Sequence, residues 1–388
     1  MNNQKHIAKA VTLLLLIALY GAFARAQAPA QKACVYVNDN LATANTVEGY
    51  MAAGTSITHL DPVATGGNGS PSNDHTFFAT PLIAIAPGTT HLYASDSGSS
   101  DIALFNINSS NCQLTLVADY SSGGSGIFGL GITISRNGKF LYASNGGRSS
   151  SIAVLPINSD GSLGNPVQVM SVSAVESDIV ITPDSKTMVV THAGVSQQVA
   201  AYMINQSNGT LKLASTVSTM GAADGLAVDS HSKFIYVGNG GDGGAADIQV
   251  LELGAGAKLS YVADFVFNGI DNPASIPGSS NCLLLSPNGK FLYFTNQVDA
   301  NIVTLSVDPA SGNLSFSSIV ADGESFVDEP SQLAMVPNGS VIFTGDFNSA
   351  SEAAMGIFRA SSNGVLTSLG SFPLIGDSFS TSIAAGVF

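Results

Sequence analysis

From residue 33 onward, apolar and polar positions alternate in runs of five to eight residues, and polar turns separate the runs. Alternation with a period of two marks half-buried strands, and no stretch after the N-terminal segment holds a helical period. The runs recur as a unit. Lys139-Phe-Leu-Tyr142-Ala-Ser-Asn145, Lys233-Phe-Ile-Tyr236-Val-Gly-Asn239 and Lys290-Phe-Leu-Tyr293-Phe-Thr-Asn296 are near copies. Weaker copies centre on Tyr93, Val189 and Phe343, and Cys34-Val-Tyr36-Val-Asn38 opens the series. The central positions 36, 93, 142, 189, 236, 293 and 343 lie 57, 49, 47, 47, 57 and 50 residues apart, the length of a four-stranded propeller blade.

Each unit has one internal order. An apolar run such as Cys282-Leu-Leu-Leu-Ser286 reads as inner strand A, and a tight turn such as Pro287-Asn-Gly289 follows it. Asn-Gly suits such turns because both residues tolerate positive φ. Strand B is the aromatic segment. Alternating strand C follows, as in Asn301-Ile-Val-Thr-Leu305, and another polar turn leads to strand D. The first unit has no strand A, while Ser380-Thr-Ser-Ile-Ala-Ala-Gly-Val-Phe388 is left over after the last. The expected fold is all-β: a seven-bladed β-propeller of four-stranded antiparallel blades, in which the C-terminal strand completes blade one and leaves no open edge.

Composition adds the compartment. Lys5 and Lys9, the apolar run Val11 to Phe23 and the small-x-small site Ala24-Arg25-Ala26 read as a signal peptide over residues 1–26. A short segment, 27–32, then leads into a single propeller domain over 33–388. The expected destination is the periplasm or the medium, with no membrane span after cleavage. The mature chain has 10 basic and 27 acidic residues, a formal charge of −17, which argues against nucleic acid as a partner. A monomer is expected. Three cysteines with no CxxC give no support to zinc, haem or thioredoxin-like chemistry. Cys34 and Cys112 fall at the same end of neighbouring blades and are the expected disulfide; Cys282, on an inner strand, is the expected free thiol.

The repeated Pro-Asn-Gly-Lys-Phe-Leu-Tyr-(Phe/Ala)-(Thr/Ser)-Asn pattern resembles the lactonase-like, or YVTN-type, seven-bladed propellers, the family of 6-phosphogluconolactonases. The resemblance spans nearly the whole mature chain and implies hydrolysis of a small lactone or sugar acid at the top of the central channel. Members with that activity carry His near the starts of inner strands. Here those starts read Ser177-Asp178, Asp224-Gly225, Asn281-Cys282 and Pro330-Ser331.

Propeller topology places the D–A and B–C loops on one face, the top, where ligand sites gather. The candidates there are His192 as general base, with Glu176 to orient it and Arg148 to bind an anionic group. Asp96, Asn145, Asp178, Asp224, Asn239, Asn296, Glu329 and Asp346 complete a polar ring for substrate. Oxygen ligands of this kind also suit Ca²⁺, the one cofactor the residues admit. Asn, Asp and Ser at such places also close turns through local hydrogen bonds. The alternative to a lactone hydrolase is a non-catalytic scaffold that binds a glycan, a peptide or a cell-envelope protein.

Overall fold

The structure, a computed structural model, describes residues 32–53, 56–70, 81–126, 129–146, 149–172, 176–192, 197–219, 221–240, 246–267, 280–296, 301–321, 328–348, 354–374 and 382–386. Seven four-stranded antiparallel sheets form the blades, in the inner-to-outer order A-B-C-D. Blade one takes its outer three strands from β1 (Lys32–Asn38), β2 (Thr46–Ala53) and β3 (Ser56–Ala64). Blade two is β4 (Ile83–Ile85), β5 (His91–Asp96), β6 (Asp101–Ile107) and β7 (Leu114–Ser121). Blade three is β8 (Leu130–Ile134), β9 (Phe140–Asn145), β10 (Ser151–Pro156) and β11 (Gln168–Ser171). Blade four is β12 (Glu176–Ile181), β13 (Thr187–His192), β14 (Gln198–Ile204) and β15 (Leu211–Ser218). Blade five is β16 (Ala222–Val228), β17 (Phe234–Gly240), β18 (Ala246–Gly254) and β19 (Lys258–Phe267). Blade six is β20 (Ser280–Leu285), β21 (Phe291–Asn296), β22 (Asn301–Val307) and β23 (Leu314–Ala321). Blade seven is β24 (Asp328–Met335), β25 (Val341–Asn348), β26 (Ala354–Ala360) and β27 (Leu366–Pro373). The last strand, β28 (Ser382–Gly386), pairs antiparallel with β1 from Cys34↔Gly386 to Asn38↔Ser382 and supplies the inner strand of blade one.

The core lies between blades. Seven hydrophobic clusters occupy the described residues, one at each contact of neighbouring blades, including the contact of blade seven with blade one. The repeated B-strand tyrosine spans the contact that each of blades one to three makes with the blade after it. Tyr36, Tyr93 and Tyr142 are buried, and each hydroxyl donates to a carbonyl in the C–D turn of the next blade: Cys112 at 2.8 Å, Gly161 at 2.6 Å and Gly209 at 3.0 Å. The bond satisfies a hydroxyl that burial would otherwise leave stranded.

Two residues before that tyrosine, a ring presses on the same turn. A Cβ on Gly209 would stand 2.6 Å from the Phe140 ring, and one on Gly312 equally close to Phe234. Both glycines also hold φ near +75°, so sterics and backbone alike select glycine. Between blades one and two the pattern changes. Cys34 takes the ring's place, Cys112 takes the turn position with φ of 62°, and the two form a disulfide with Cα atoms 5.4 Å apart. Cys112 lies in the C–D turn, two residues ahead of β7. Cys282 is a buried free thiol.

Candidate functional site at the top of the channel

The inner strands carry the site. In blades four to seven their ladders slip near the top, between Glu176 and Asp178, Ala223 and Leu226, Ser280 and Leu283, and Pro330 and Gln332. The inner strands of blades one to three pair without such a shift. A bulge re-aims side chains and frees backbone groups, and freed N–H groups here find acceptors on the neighbouring blade. Asp178 Oδ2 accepts from Leu226 N at 2.7 Å, and Cys282 Sγ accepts from Leu333 N at 3.3 Å. Ser382 Oγ does the same for Leu82 N at 3.0 Å. The three acceptors occupy one register position, two residues before the one opposite the centre of strand B.

Asp178 differs from the other two in being a carboxyl and only half-buried. Its Oδ1 accepts from Ile179 N at 2.7 Å. Its own N–H donates to Thr191 Oγ1 at 2.9 Å, and that hydroxyl donates to the Asp224 carbonyl at 2.7 Å. One threonine therefore ties the inner strands of blades four and five together beneath the two carboxylates. Desolvation raises the Asp178 pKa to about 7; the amides of Leu226 and Ile179 pull it down, and Asp224 adds to the rise. Burial, with a smaller push from Asp178, raises the Cys282 thiol to about 12, so it stays protonated.

The ends of the B strands do other work. Asp96 Oδ1 accepts from Asn45 Nδ2 at 2.7 Å and from Thr65 Oγ1 at 2.8 Å, both in blade one, and burial raises its pKa to about 6. Asn145 Oδ1 accepts from Ser122 Oγ of blade two at 2.6 Å, and its Nδ2 donates to the Ser122 and Ala143 carbonyls. Each thus grips the residue just beyond the outer strand of the preceding blade. Asn239 and Asn296 are buried at equivalent places. At His192 the preceding blade offers Val172, whose N–H donates to Ser150 O as Thr65 and Ser122 donate in their blades. His192 is 3% exposed, its Nδ1 has no hydrogen-bond partner, and burial lowers its pKa, so the ring is neutral. It lies on the side of β13 that carries Met188 and Val190 into the cluster between blades three and four.

Of the expected site residues, Asp178 and Asp224 come together on the channel wall. Glu176 stands opposite His192 in the β12–β13 ladder. Its side chain and those of Glu329 and Asp346 fall outside the described residues, as does all of Arg148. Among the described residues no three His, Cys, Asp or Glu side chains are grouped so as to hold a metal ion. Sequence reasoning missed Thr191, which sat unremarked in a repeated strand. It also missed Asp39 and Glu48. Asp39 is the blade-one counterpart of Asp96, three residues beyond Tyr36 as Asp96 is beyond Tyr93. It is buried beside Glu48; Thr46 donates to Asp39, Tyr50 donates to Glu48, and His59 Nε2 lies 3.3 Å from Glu48 Oε2. Burial first, and Glu48 second, raise the Asp39 pKa to about 8.

A family profile described as lactonase, 7-bladed β-propeller, matches residues 26–145, 128–217 and 273–378. The chain belongs to that lactonase family. The stretch the lactonase profile leaves unmatched contains blade five, which is nonetheless a regular four-stranded blade. Solved structures agree on the fold. A periplasmic gluconolactonase from Pseudomonas aeruginosa is 20% identical with a TM-score of 0.71, covering 91% of this chain and 99% of its own. A candidate 6-phosphogluconolactonase from Bacteroides fragilis is 17% identical with a TM-score of 0.69, covering 91% and 98%. A protein of unknown function from Desulfotomaculum acetoxidans is 13% identical with a TM-score of 0.68, also covering 91% and 98%. A search of curated proteins finds no match.

Proposed function

We propose that this chain is an exported lactone hydrolase that works at the top of its channel, with Asp178 as general base. The observation that carries the reading is a half-buried carboxyl on the channel wall, held by two backbone amides, with a pKa of about 7. A base poised near neutral pH combines an available ionised form with useful basicity. In the reaction, the Asp178 carboxylate takes a proton from water as the water oxygen bonds to the lactone carbonyl carbon. The ring C–O bond then breaks, the alkoxide takes the proton, and a hydroxy acid leaves. The leader at residues 1–26 directs the chain out of the cytoplasm, and the periplasmic gluconolactonase among its structural neighbours is consistent with that destination.

The competing reading is a scaffold for a glycan, a peptide or an envelope protein. It draws support from His192, whose buried ring leaves Nδ1 without a hydrogen-bond partner. Turnover of a panel of five- and six-membered lactones separates the two. The hydrolase reading expects activity that rises with pH through about 7 and falls by at least ~100-fold in D178N. Activity unchanged in D178N removes Asp178 from the chemistry, and a panel without turnover favours the scaffold.

A further inference from the structure

Charge is sorted along the propeller axis. Strands B and D begin at the bottom face, strands A and C end there, and the A–B and C–D turns close it. All nine Lys and Arg among the described residues fall at that end, on blades one and three to seven. Five acids share it: Asp160, Asp184, Asp229, Glu252 and Asp308. The other fourteen acids at described backbone positions belong to the upper half, which has no Lys or Arg at such a position. Among the described residues the bottom is therefore net positive by four, on a chain whose formal charge is −14.

The basic end is also available. Lys186 pairs with Asp184 at 3.4 Å, Lys233 pairs with Glu252 at 3.7 Å, and Lys32 donates to a backbone carbonyl. The remaining six, Arg136, Lys139, Lys212, Lys258, Lys290 and Arg359, are exposed and enter no ion pair among the described residues. Strands of six to eight residues separate the two ends by roughly 20–25 Å. That is well beyond the ~8 Å over which charges act at physiological ionic strength. A surface that meets the bottom therefore meets its positive charge, and the acidic top is screened from it.

We propose that the bottom face docks on an anionic lipid bilayer surface. The cations are spread around a ring and do not line a groove, which suits a planar array of headgroups better than a single polymer strand. Turned the other way, the acidic upper half would be repelled by the same surface, so the contact has one orientation and leaves the channel mouth facing away.

Sedimentation of the full chain with vesicles tests this. One set contains phosphatidylglycerol and phosphatidylcholine in equal parts; the other is phosphatidylcholine alone. The expected result is binding to the anionic set only, weakened by salt, and weakened on the order of 100-fold by K139Q/K212Q/K258Q, at about fivefold per charge. Association driven by the apolar N-terminal segment would appear on both sets and survive the triple variant. No binding to anionic vesicles at low ionic strength overturns the proposal, as does equal binding by the variant, or binding to a soluble polyanion but not to vesicles. Single substitutions and the salt dependence of the unmodified chain decide the matter if the triple variant loses its β-sheet circular dichroism.

Discussion

The raised pKa of Asp39, buried beside Glu48, has a measurable signature. Asp39 has an ordinary value of 3.8 and a value of about 8 in the folded chain. Between those pH values the unfolded chain has lost the proton and the folded chain keeps it, so unfolding releases a proton and stability falls as pH rises. The contribution is complete below pH ~4 and gone above pH ~8. D39N, which cannot ionise, is expected to flatten the dependence of Tm on pH across that window, and a Tm profile parallel to the unmodified chain counts against the pair. Asp178 obeys the same sign over a narrower window, its contribution falling from about pH 4 and gone above about 7. Such residues were only partly legible beforehand. Asp178 and Asp224 stood out as acids at inner-strand starts, together with Glu176 and Glu329. Thr191 gave no signal, because its partners come from two other strands. His192 drew attention by replacing Asn or Asp in the repeat, yet the position it faces, at the end of the preceding blade's outer strand, is filled by Val172.

 Val172 precedes His192 by twenty residues, and nothing in the local pattern marks the two as neighbours.

At the scale of the element, the Cys34–Cys112 bond stands where four other blade contacts use a ring against a glycine. The exchange explains why the cysteines occur at these two positions, and it can be reversed. C34A/C112A is expected to lose roughly 4 kcal/mol, the entropic value for a loop closed across 78 residues. C34F/C112G rebuilds the contact seen at Phe140–Gly209 and is expected to recover part of that loss in denaturant unfolding. Equal stability of the two double variants would show that the turn does not accept the ring. Tyr142→Phe, which strips one cross-blade bond and leaves the Gly209 carbonyl without its donor, is expected to cost about 1–2 kcal/mol. Strands B and C were legible in the sequence because their side chains are buried on both faces and punctuated by Asn-Gly-type turns. The tops of the inner strands were not. A bulge shifts register by one residue without changing composition, so the slips at Asp178, Leu226, Leu283 and Gln332 have no counterpart in the hydrophobic pattern.

For the molecule as a whole, the seven-blade count and the closing strand followed from spacing alone, since a missing first strand and a surplus last one admit one simple repair. Removal of residues 382–388 is expected to abolish a single cooperative unfolding transition and to promote aggregation through the bared edge of β1. A truncated chain that melts sharply and stays monomeric would show that the ring does not depend on its closure. The sorting of charge was equally present in the sequence, but it became visible only once each turn had been assigned to a face. Closure also sets an order of events during synthesis. The first strand made is completed by the last, about 350 residues later. At the usual pace of translation β1 waits some 20–70 s for its partner. The disulfide needs only the first two blades, so it can form early in an oxidising compartment. It would then hold the leading strand to its neighbour until the tail of the chain arrives.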